Sequence, residues 1–242
     1  TSLLEVGPAR GVAIAALGRP ALDLANPAGI GPALAAASPD VVVNAAAYTA
    51  VDKAESEPEV AMAVNGAGAG AVAEACARLG VPLIHLSTDY VYDGAKATPY
   101  VETDAVGPVS SYGRSKLEGE RQVAGRCRRH VILRTAWVFS PFGTNFAKTM
   151  LRLAAQRTAL DVVNDQNGAP TGADLLADVS AHVLRTALAN PSVAGTYHAC
   201  ASGETSWWAY ARHVVAWGHR VGLKLETTVD QVRGIPSAAY PT

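Results

Sequence analysis

Short, continuously apolar runs alternate along this chain with longer segments in which apolar residues recur at helical spacing. The runs predict strands at residues 11–17, 41–43, 81–86 and 131–138, and helices at 30–37, 59–79 and 111–127 lie between them. A strand that is apolar at every position is typical of a sheet buried on both faces. The predicted fold class is therefore α/β, with a doubly wound, Rossmann-like parallel sheet.

The pattern loosens from about residue 145. Helices are predicted at 146–157, 173–189 and 206–217, with short strands at 160–163 and 197–199. We interpret residues 1–144 as a dinucleotide-binding domain and residues 145–242 mainly as a smaller, substrate-binding lobe.

The start of the chain departs from the usual plan of a dinucleotide-binding sheet. Such a sheet opens with a strand and a glycine-rich turn, whose amides meet a pyrophosphate at a helix N-terminus. Gly7, Gly11 and Gly18 do not have that spacing, and no apolar run precedes them. We therefore expect the first strand and the glycine loop to be missing, and the chain to begin partway along the following helix.

Composition narrows the function classes. Lysine and arginine number 20 against 21 acidic residues, so the charge pattern gives no sign of a nucleic-acid polymer as partner. No apolar run approaches membrane-spanning length, which argues against a membrane partner. Three scattered cysteines fit a reducing, cytoplasmic location, and neither they nor the six histidines have metal-ligand spacing.

The candidate chemistry centres on Tyr112 and Lys116, which lie four residues apart and therefore on one face of the predicted helix. A nearby cation favours a phenolate, so Lys116 is expected to lower the pKa of Tyr112 and make it a usable general acid. Ser87 and Thr88 end an apolar strand and can offer a hydroxyl to the same carbonyl oxygen. A tyrosine acid, a neighbouring lysine and a second hydroxyl are the groups needed to reduce a ketone with a hydride donor.

Several longer motifs surround this pair, at residues 39–49, 51–55, 87–94, 112–120, 134–138, 145–146 and 165–172. With them the chain resembles the extended short-chain dehydrogenases/reductases and, more narrowly, the dTDP-4-dehydrorhamnose reductase family. The resemblance implies NAD(P)H-dependent reduction of the C4 ketone of dTDP-4-dehydro-β-L-rhamnose to dTDP-L-rhamnose. The implied partner is thus a small dTDP-sugar, and the implied cofactor is NADPH or NADH.

The resemblance also implies roles for individual residues. Tyr112 would donate the proton, Lys116 would hold the nicotinamide ribose, and Thr88 would bond the sugar near the reacting oxygen. Asp89 and Trp137 would contact the substrate. Asp89 fits equally well as a turn cap, and for Trp137 the alternative, less favoured than ligand contact, is a core residue. The implied cofactor-binding residues are Arg19, Asp23, Leu24, Ala47, Tyr48, Thr49, Leu86, Tyr112 and Lys116.

Three questions stay open at this level. Arg19 could meet the 2′-phosphate of NADPH or lie solvated in a loop. Some family members dimerise around a magnesium ion held by glutamates; one such position holds Asp174 here and another would precede Thr1, which leaves Mg²⁺ and a homodimer open. The family also continues beyond residue 242 with a segment that helps to hold the nucleotide sugar.

Two other functions compete with the reductase. The same chemistry could act on a related dTDP-4-keto sugar of the dihydrostreptose type. Alternatively, the chain could be a non-catalytic, NADP-binding regulatory subunit, similar to the β subunit of methionine adenosyltransferase.

Overall fold

The computed structural model describes residues 1–240 and divides the chain into two units. The first unit comprises Thr1–Thr135 and Leu176–Ala199, and the second comprises Ala136–Leu175 and Cys200–Thr242. In chain order the elements are α1 (Ser2–Ala9), α2 (Pro27–Ala37), β1 (Val42–Asn44), α3 (Lys53–Ser56), α4 (Pro58–Met62), a π-helical turn (Ala63–Gly68), α5 (Ala69–Leu79), β2 (Leu83–Thr88), α6 (Ser111–Arg126), β3 (His130–Thr135), β4 (Val138–Phe139), α7 (Phe146–Ala154), β5 (Leu160–Val163), β6 (Asn167–Gly168), β7 (Thr171–Gly172), α8 (Ala173–Ala189), β8 (Gly195–His198), β9 (Thr205–Ser206), α9 (Trp207–Arg220) and β10 (Val232–Ile235). Short 3₁₀ turns lie at Asp89–Val91, Pro191–Val193, Val229–Gln231 and Ser237–Ala239.

A parallel sheet forms the centre of the first unit. Its four strands run in the order β1-β2-β3-β8, and Val42 pairs with Leu83, which in turn pairs with His130. All carboxyl ends of these parallel strands therefore lie at one edge of the sheet, where ligands bind in doubly wound folds.

Helices cover both faces of this sheet. Residues from α2, α5 and α6 form one core with Leu83 and Ile132, whereas α8 residues form the other core with Ile84 and Leu133. The alternation follows from the period of two along a strand, because successive side chains point to opposite faces. The predicted α/β class with a doubly wound parallel sheet is confirmed.

The long helix that the sequence predicts at residues 59–79 forms in the structure and contributes to the first core. Among residues 1–240 it is the one helix, Pro58–Leu79, that could cross a membrane by length and composition alone, and 56% of its apolar window is buried in the protein. It runs through α4, the π-helical turn and α5, and its residues pack beneath α2 and α6. The expectation that no apolar segment approaches membrane-spanning length was wrong. The buried fraction of this helix is that of a helix in a protein core.

Small strands and two aromatic-rich helices build the second unit. β10 pairs in parallel with β5, β7 with β4, and β6 runs antiparallel to β9. A hydrophobic core joins α7, β5, α9 and β10, with Ala154, Ala211 and Val215 fully buried.

Two features of the first unit differ from the sequence-based expectations. Residues 12–17 are not a strand, because an apolar run becomes a strand only when a neighbouring strand takes its hydrogen bonds, and none does so within residues 1–240. Leu176–Ala199 belongs to the first unit rather than to a second domain starting at 145, because β8 pairs with β3 and α8 covers the sheet. The last two residues of the predicted second domain, Pro241 and Thr242, lie outside the described residues.

Candidate active site

Helix α6 presents the predicted acid in its first turn. The helix begins at Ser111 because the Ser110 hydroxyl oxygen accepts the Gly113 N–H at 3.0 Å, which satisfies one of the free N–H groups of a helix start. Gly113 also allows a close approach, since a Cβ there would collide with the Tyr90 carbonyl oxygen. Tyr112 therefore lies against the turn that follows β2, and its ring meets that of Tyr90 edge to face, with centroids 5.5 Å apart.

The phenol of Tyr112 is almost completely buried, with 9% of the residue exposed. Burial raises the pKa of Tyr112 to about 12, and the Thr88 hydroxyl partly opposes this by bonding to the phenol. The negative field of Asp89 raises it further. The phenol thus keeps its proton at neutral pH.

Lys116 lies one turn further along α6 and is only 2% exposed. Its Nζ donates a hydrogen bond of 2.7 Å to the Leu86 carbonyl oxygen on β2. Burial lowers the pKa of Lys116 to about 8, against the opposing effect of the Glu120 carboxylate. The expectation that Lys116 lowers the pKa of Tyr112 is not met in this structure, because desolvation dominates the phenol and the ammonium is turned to the strand.

The end of β2 supplies the other hydroxyl of the site. The Thr88 hydroxyl donates to Asp89 Oδ1 at 3.0 Å and accepts the Tyr90 N–H at 3.2 Å. Thr88 thus also caps the turn at Asp89–Val91, and burial raises the pKa of Asp89. Ser87 points elsewhere: its hydroxyl donates to Glu120 Oε1 at 2.6 Å. Thr88 is therefore the one of the two hydroxyls that lies beside Tyr112, and in this structure its proton is directed at Asp89.

Beneath the site lies a buried ion pair that the sequence analysis did not single out. Arg134 Nη2 donates to Glu120 Oε2 at 2.7 Å and Arg134 Nη1 to the Tyr92 hydroxyl at 2.6 Å, and both charged side chains are less than 10% exposed. The Tyr92 hydroxyl is also 2.8 Å from His198 Nε2. The sequence contains one signal that could have identified Glu120: it follows Tyr112 and Lys116 at four-residue spacing, which places all three on one helical face.

The loop after β1 is tied to the same helix through Asn65. The Asn65 side chain accepts the Tyr48 N–H at 2.8 Å and donates to the Tyr48 carbonyl at 3.0 Å and to Ser115 Oγ at 2.9 Å. Ser115 Oγ then donates to the Tyr112 carbonyl oxygen at 2.7 Å. Asn65 comes from the π-helical turn, an irregularity often found at functional sites, and the sequence gives no periodicity signal for it.

The predicted cofactor residues have different surroundings. Tyr48 lies in the cluster around Tyr112, and Ala47 and Thr49 flank it on the same strand-end loop. Asp23 accepts the Ala25 N–H at 2.9 Å, whereas the side chain of Leu24 is buried in the core and leaves only its backbone for a ligand. Arg19 is exposed and forms no ion pair within residues 1–240. It does not follow a strand, because the strand predicted at residues 11–17 does not form.

These residues fit a nicotinamide dinucleotide at the sheet edge. An ammonium has three donors, and Lys116 uses one of them on Leu86, which leaves donors for ribose hydroxyls. Thr135 lies opposite Thr88 in the register of β2 and β3. Its hydroxyl is buried and has no hydrogen-bond partner within residues 1–240. Ala45 and Ala46 expose the backbone after β1. For magnesium, by contrast, residues 1–240 bring no three His, Cys, Asp or Glu side chains together.

Trp137 belongs to the second unit and is held there by stacking. It has a positive φ of 47°, and its ring lies 3.5 Å from that of Trp207, centroid to centroid. Gly168 makes room for it, since a Cβ at that position would lie 2.6 Å from Trp137 Cε2. The aromatic packing fixes the indole, and its predicted contact with a substrate stays a prediction.

Comparisons with known proteins agree on one family. The model of the RmlD substrate binding domain matches residues 1–242. The chain is 49% identical over 220 residues to dTDP-4-dehydrorhamnose reductase of Escherichia coli K12, covering 91% of this chain and 73% of that protein. It is 50% identical over 234 residues to the same enzyme of Sinorhizobium fredii, covering 96% of this chain and 77% of that protein.

A solved structure gives the same result. The crystal structure of dTDP-4-dehydrorhamnose reductase from Bacillus anthracis in complex with NADP superposes with a TM-score of 0.88 at 31% identity, covering 98% of this chain and 81% of that chain. The chain belongs to the RmlD substrate binding domain family.

Proposed function

We propose that this chain is a dTDP-4-dehydrorhamnose reductase, which reduces the C4 ketone of dTDP-4-dehydro-β-L-rhamnose to dTDP-L-rhamnose with NADPH. The observation that carries the proposal is the grouping of Tyr112, Thr88 and Lys116 at the carboxyl edge of the parallel sheet. Relatives that share about half of their residues with this chain are named dTDP-4-dehydrorhamnose reductase, and the similar crystal structure from Bacillus anthracis is a complex with NADP.

Each of the three side chains has a separate role in the reaction. The Tyr112 phenol, protonated at neutral pH, donates its proton to the oxygen as the carbonyl becomes an alkoxide, and the Thr88 hydroxyl, when its proton turns from Asp89 to the substrate, donates a hydrogen bond to the same oxygen. Lys116 binds the ribose hydroxyls with the donors that Leu86 does not use. When bound, NADPH supplies the hydride that C4 of the sugar accepts. Hydride and proton together convert the ketone to the alcohol.

Burial of the acid serves the same chemistry. Because Tyr112 and Lys116 are shielded from water, their interactions with a developing alkoxide are stronger than they would be in solvent. A phenol with a pKa of about 12 donates only to a strong base, and an alkoxide is one. A homodimer and a cytoplasmic location suit such a biosynthetic enzyme and stay predictions.

The test is an assay of the purified full-length protein with NADPH and the dTDP-4-keto sugar, with a related dTDP-4-keto sugar as comparison. We expect oxidation of NADPH that depends on the sugar. Tyr112→Phe removes only a hydroxyl from a packed ring, so we expect kcat to fall roughly 10²- to 10⁴-fold with unchanged thermal stability. Tyr90→Phe makes the same change in the neighbouring ring and is expected to keep its activity. Full activity of Tyr112→Phe would exclude Tyr112 as the acid.

A further inference from the structure

The ring of Tyr112 is held by a segment outside its own helix. Ala54 and Ala61 are completely buried against it, and Tyr48 and Val51 pack at the edge of the same cluster. Ala54 belongs to α3, a single turn of four residues. So short a helix is not stable by itself, so the wall of the Tyr112 pocket depends on what fixes α3.

Glu55, the residue after Ala54, provides a polar link between α3 and α6. Its Oε1 accepts the Ser111 N–H at 2.6 Å, and its Oε2 accepts the Ser111 hydroxyl at 2.9 Å. The Arg114 guanidinium lies 3.8 Å from the same carboxylate. These hydrogen bonds, led by the backbone N–H of Ser111, lower the pKa of Glu55, so it is ionised at neutral pH.

This contact lies directly beside the acid. Ser111 is the first residue of α6 and Tyr112 is the second. The N-cap Ser110 accepts the N–H of Gly113, and Glu55 accepts that of Ser111, so the two side chains satisfy different free donors of the helix start. A carboxylate at a helix N-terminus also has a favourable interaction with the helix dipole. Glu55 thus links the first residue of α6 to α3, the helix that carries Ala54.

We propose that Glu55 is a positioning residue for the reduction, which holds the Tyr112 ring in place by joining α3 to the first turn of α6. Glu55 acts through Ser111 and the Ala54 wall and does not touch the substrate. The inference rests on the proposed function, since it assigns a role in proton donation by Tyr112. Small displacements of a catalytic group reduce turnover strongly, whereas binding of cofactor and sugar depends on other residues.

The experiment compares Glu55→Ala, Glu55→Gln and Glu59→Ala in the full-length protein. Glu59 is an exposed acid on α4 whose side chain forms no hydrogen bond or ion pair within residues 1–240, so Glu59→Ala is the matched control. We expect Glu55→Ala to lower kcat about tenfold while both KM values stay within about twofold of the control. We also expect a larger solvent deuterium isotope effect on kcat, because proton donation becomes more rate-limiting. Glu55→Gln keeps one carbonyl oxygen for the Ser111 N–H and should recover most of kcat.

Hydrogen–deuterium exchange supplies a readout that does not require activity. Amides of residues 111–113 should exchange faster in Glu55→Ala than in Glu59→Ala. If the wild-type protein fails to oxidise NADPH but this difference appears, the link is real and the proposed function is wrong. If the wild type is active and Glu55→Ala matches Glu59→Ala in kcat and isotope effect, the positioning role of Glu55 is overturned.

Discussion

The ammonium of Lys116 is charged in a place that water barely reaches, and this has a consequence for stability against pH. Its pKa falls from 10.5 to about 8 in the folded protein. Between these values the unfolded chain binds more protons than the folded chain, so the free energy of unfolding rises with pH through this window. Below pH 8 the folded state bears the full cost of the buried charge.

Lys116→Met isolates this effect because it removes the titrating group and keeps much of its buried volume. We expect the wild type to gain stability relative to Lys116→Met as pH rises from 7.5 to 10.5, by up to roughly 3 kcal/mol at 1.36 kcal/mol per unit of pKa shift. Urea unfolding of both proteins at several pH values measures the difference. A difference that does not change with pH means that Lys116 keeps an ordinary pKa when folded.

At the residue scale, the sequence identified the candidate catalytic residues but did not reveal what surrounds them in the folded protein. The four-residue spacing placed Tyr112 and Lys116 on one face of α6, as the structure has them. The direction of the Tyr112 pKa was predicted wrongly, because desolvation depends on neighbours from other elements such as Ala54 and Ala61. No local spacing contains that information.

Helix α6 is joined to β3 by the buried pair of Glu120 and Arg134, and its removal is expected to be costly. Glu120→Ala leaves the Arg134 guanidinium buried without its carboxylate, which typically destabilises a protein by about 3–5 kcal/mol. It also deprives Ser87 of its acceptor. Chemical denaturation measures the loss in free energy of unfolding.

The neighbouring Glu118→Ala is the control on the same helix. Glu118 is half-buried and its ion pair with Arg121 spans 4.0 Å, so we expect a loss below about 1 kcal/mol. Combining Glu120→Ala with Arg134→Met removes both charges and should recover part of the stability lost in Glu120→Ala. If Glu120→Ala costs no more than Glu118→Ala, the pair does not stabilise the fold.

Elements with a strong local pattern were predicted well, and those defined by distant pairing were not. Helix 173–189 and strand 160–163 have the bounds that the sequence predicts, because periodicity and apolar runs are local properties. Residues 12–17 have the composition of a strand and yet pair with nothing within residues 1–240. Strand β10 was missed because its partner β5 lies about seventy residues away in the sequence.

At the scale of the whole chain, the candidate cofactor residues all lie in one of the two units. Arg19, Tyr48 and Lys116 belong to the first unit, as do the other predicted cofactor contacts. A ligand that binds only the folded state stabilises it by RT ln(1 + [L]/Kd), about 2.7 kcal/mol at one hundred times Kd. NADPH should therefore raise the melting temperature of the first unit by roughly 5–10 °C for a chain of this size.

The same measurement decides what Arg19 does. If its exposed guanidinium meets the 2′-phosphate, Arg19→Ala reduces the melting shift with NADPH and leaves the shift with NADH unchanged, because NADH lacks that phosphate. Arg128→Ala, another exposed arginine without an ion pair within residues 1–240, is the control and should alter neither shift. If Arg19→Ala shows the same melting shift with NADPH as the wild type, Arg19 lies in solvent and does not bind the phosphate.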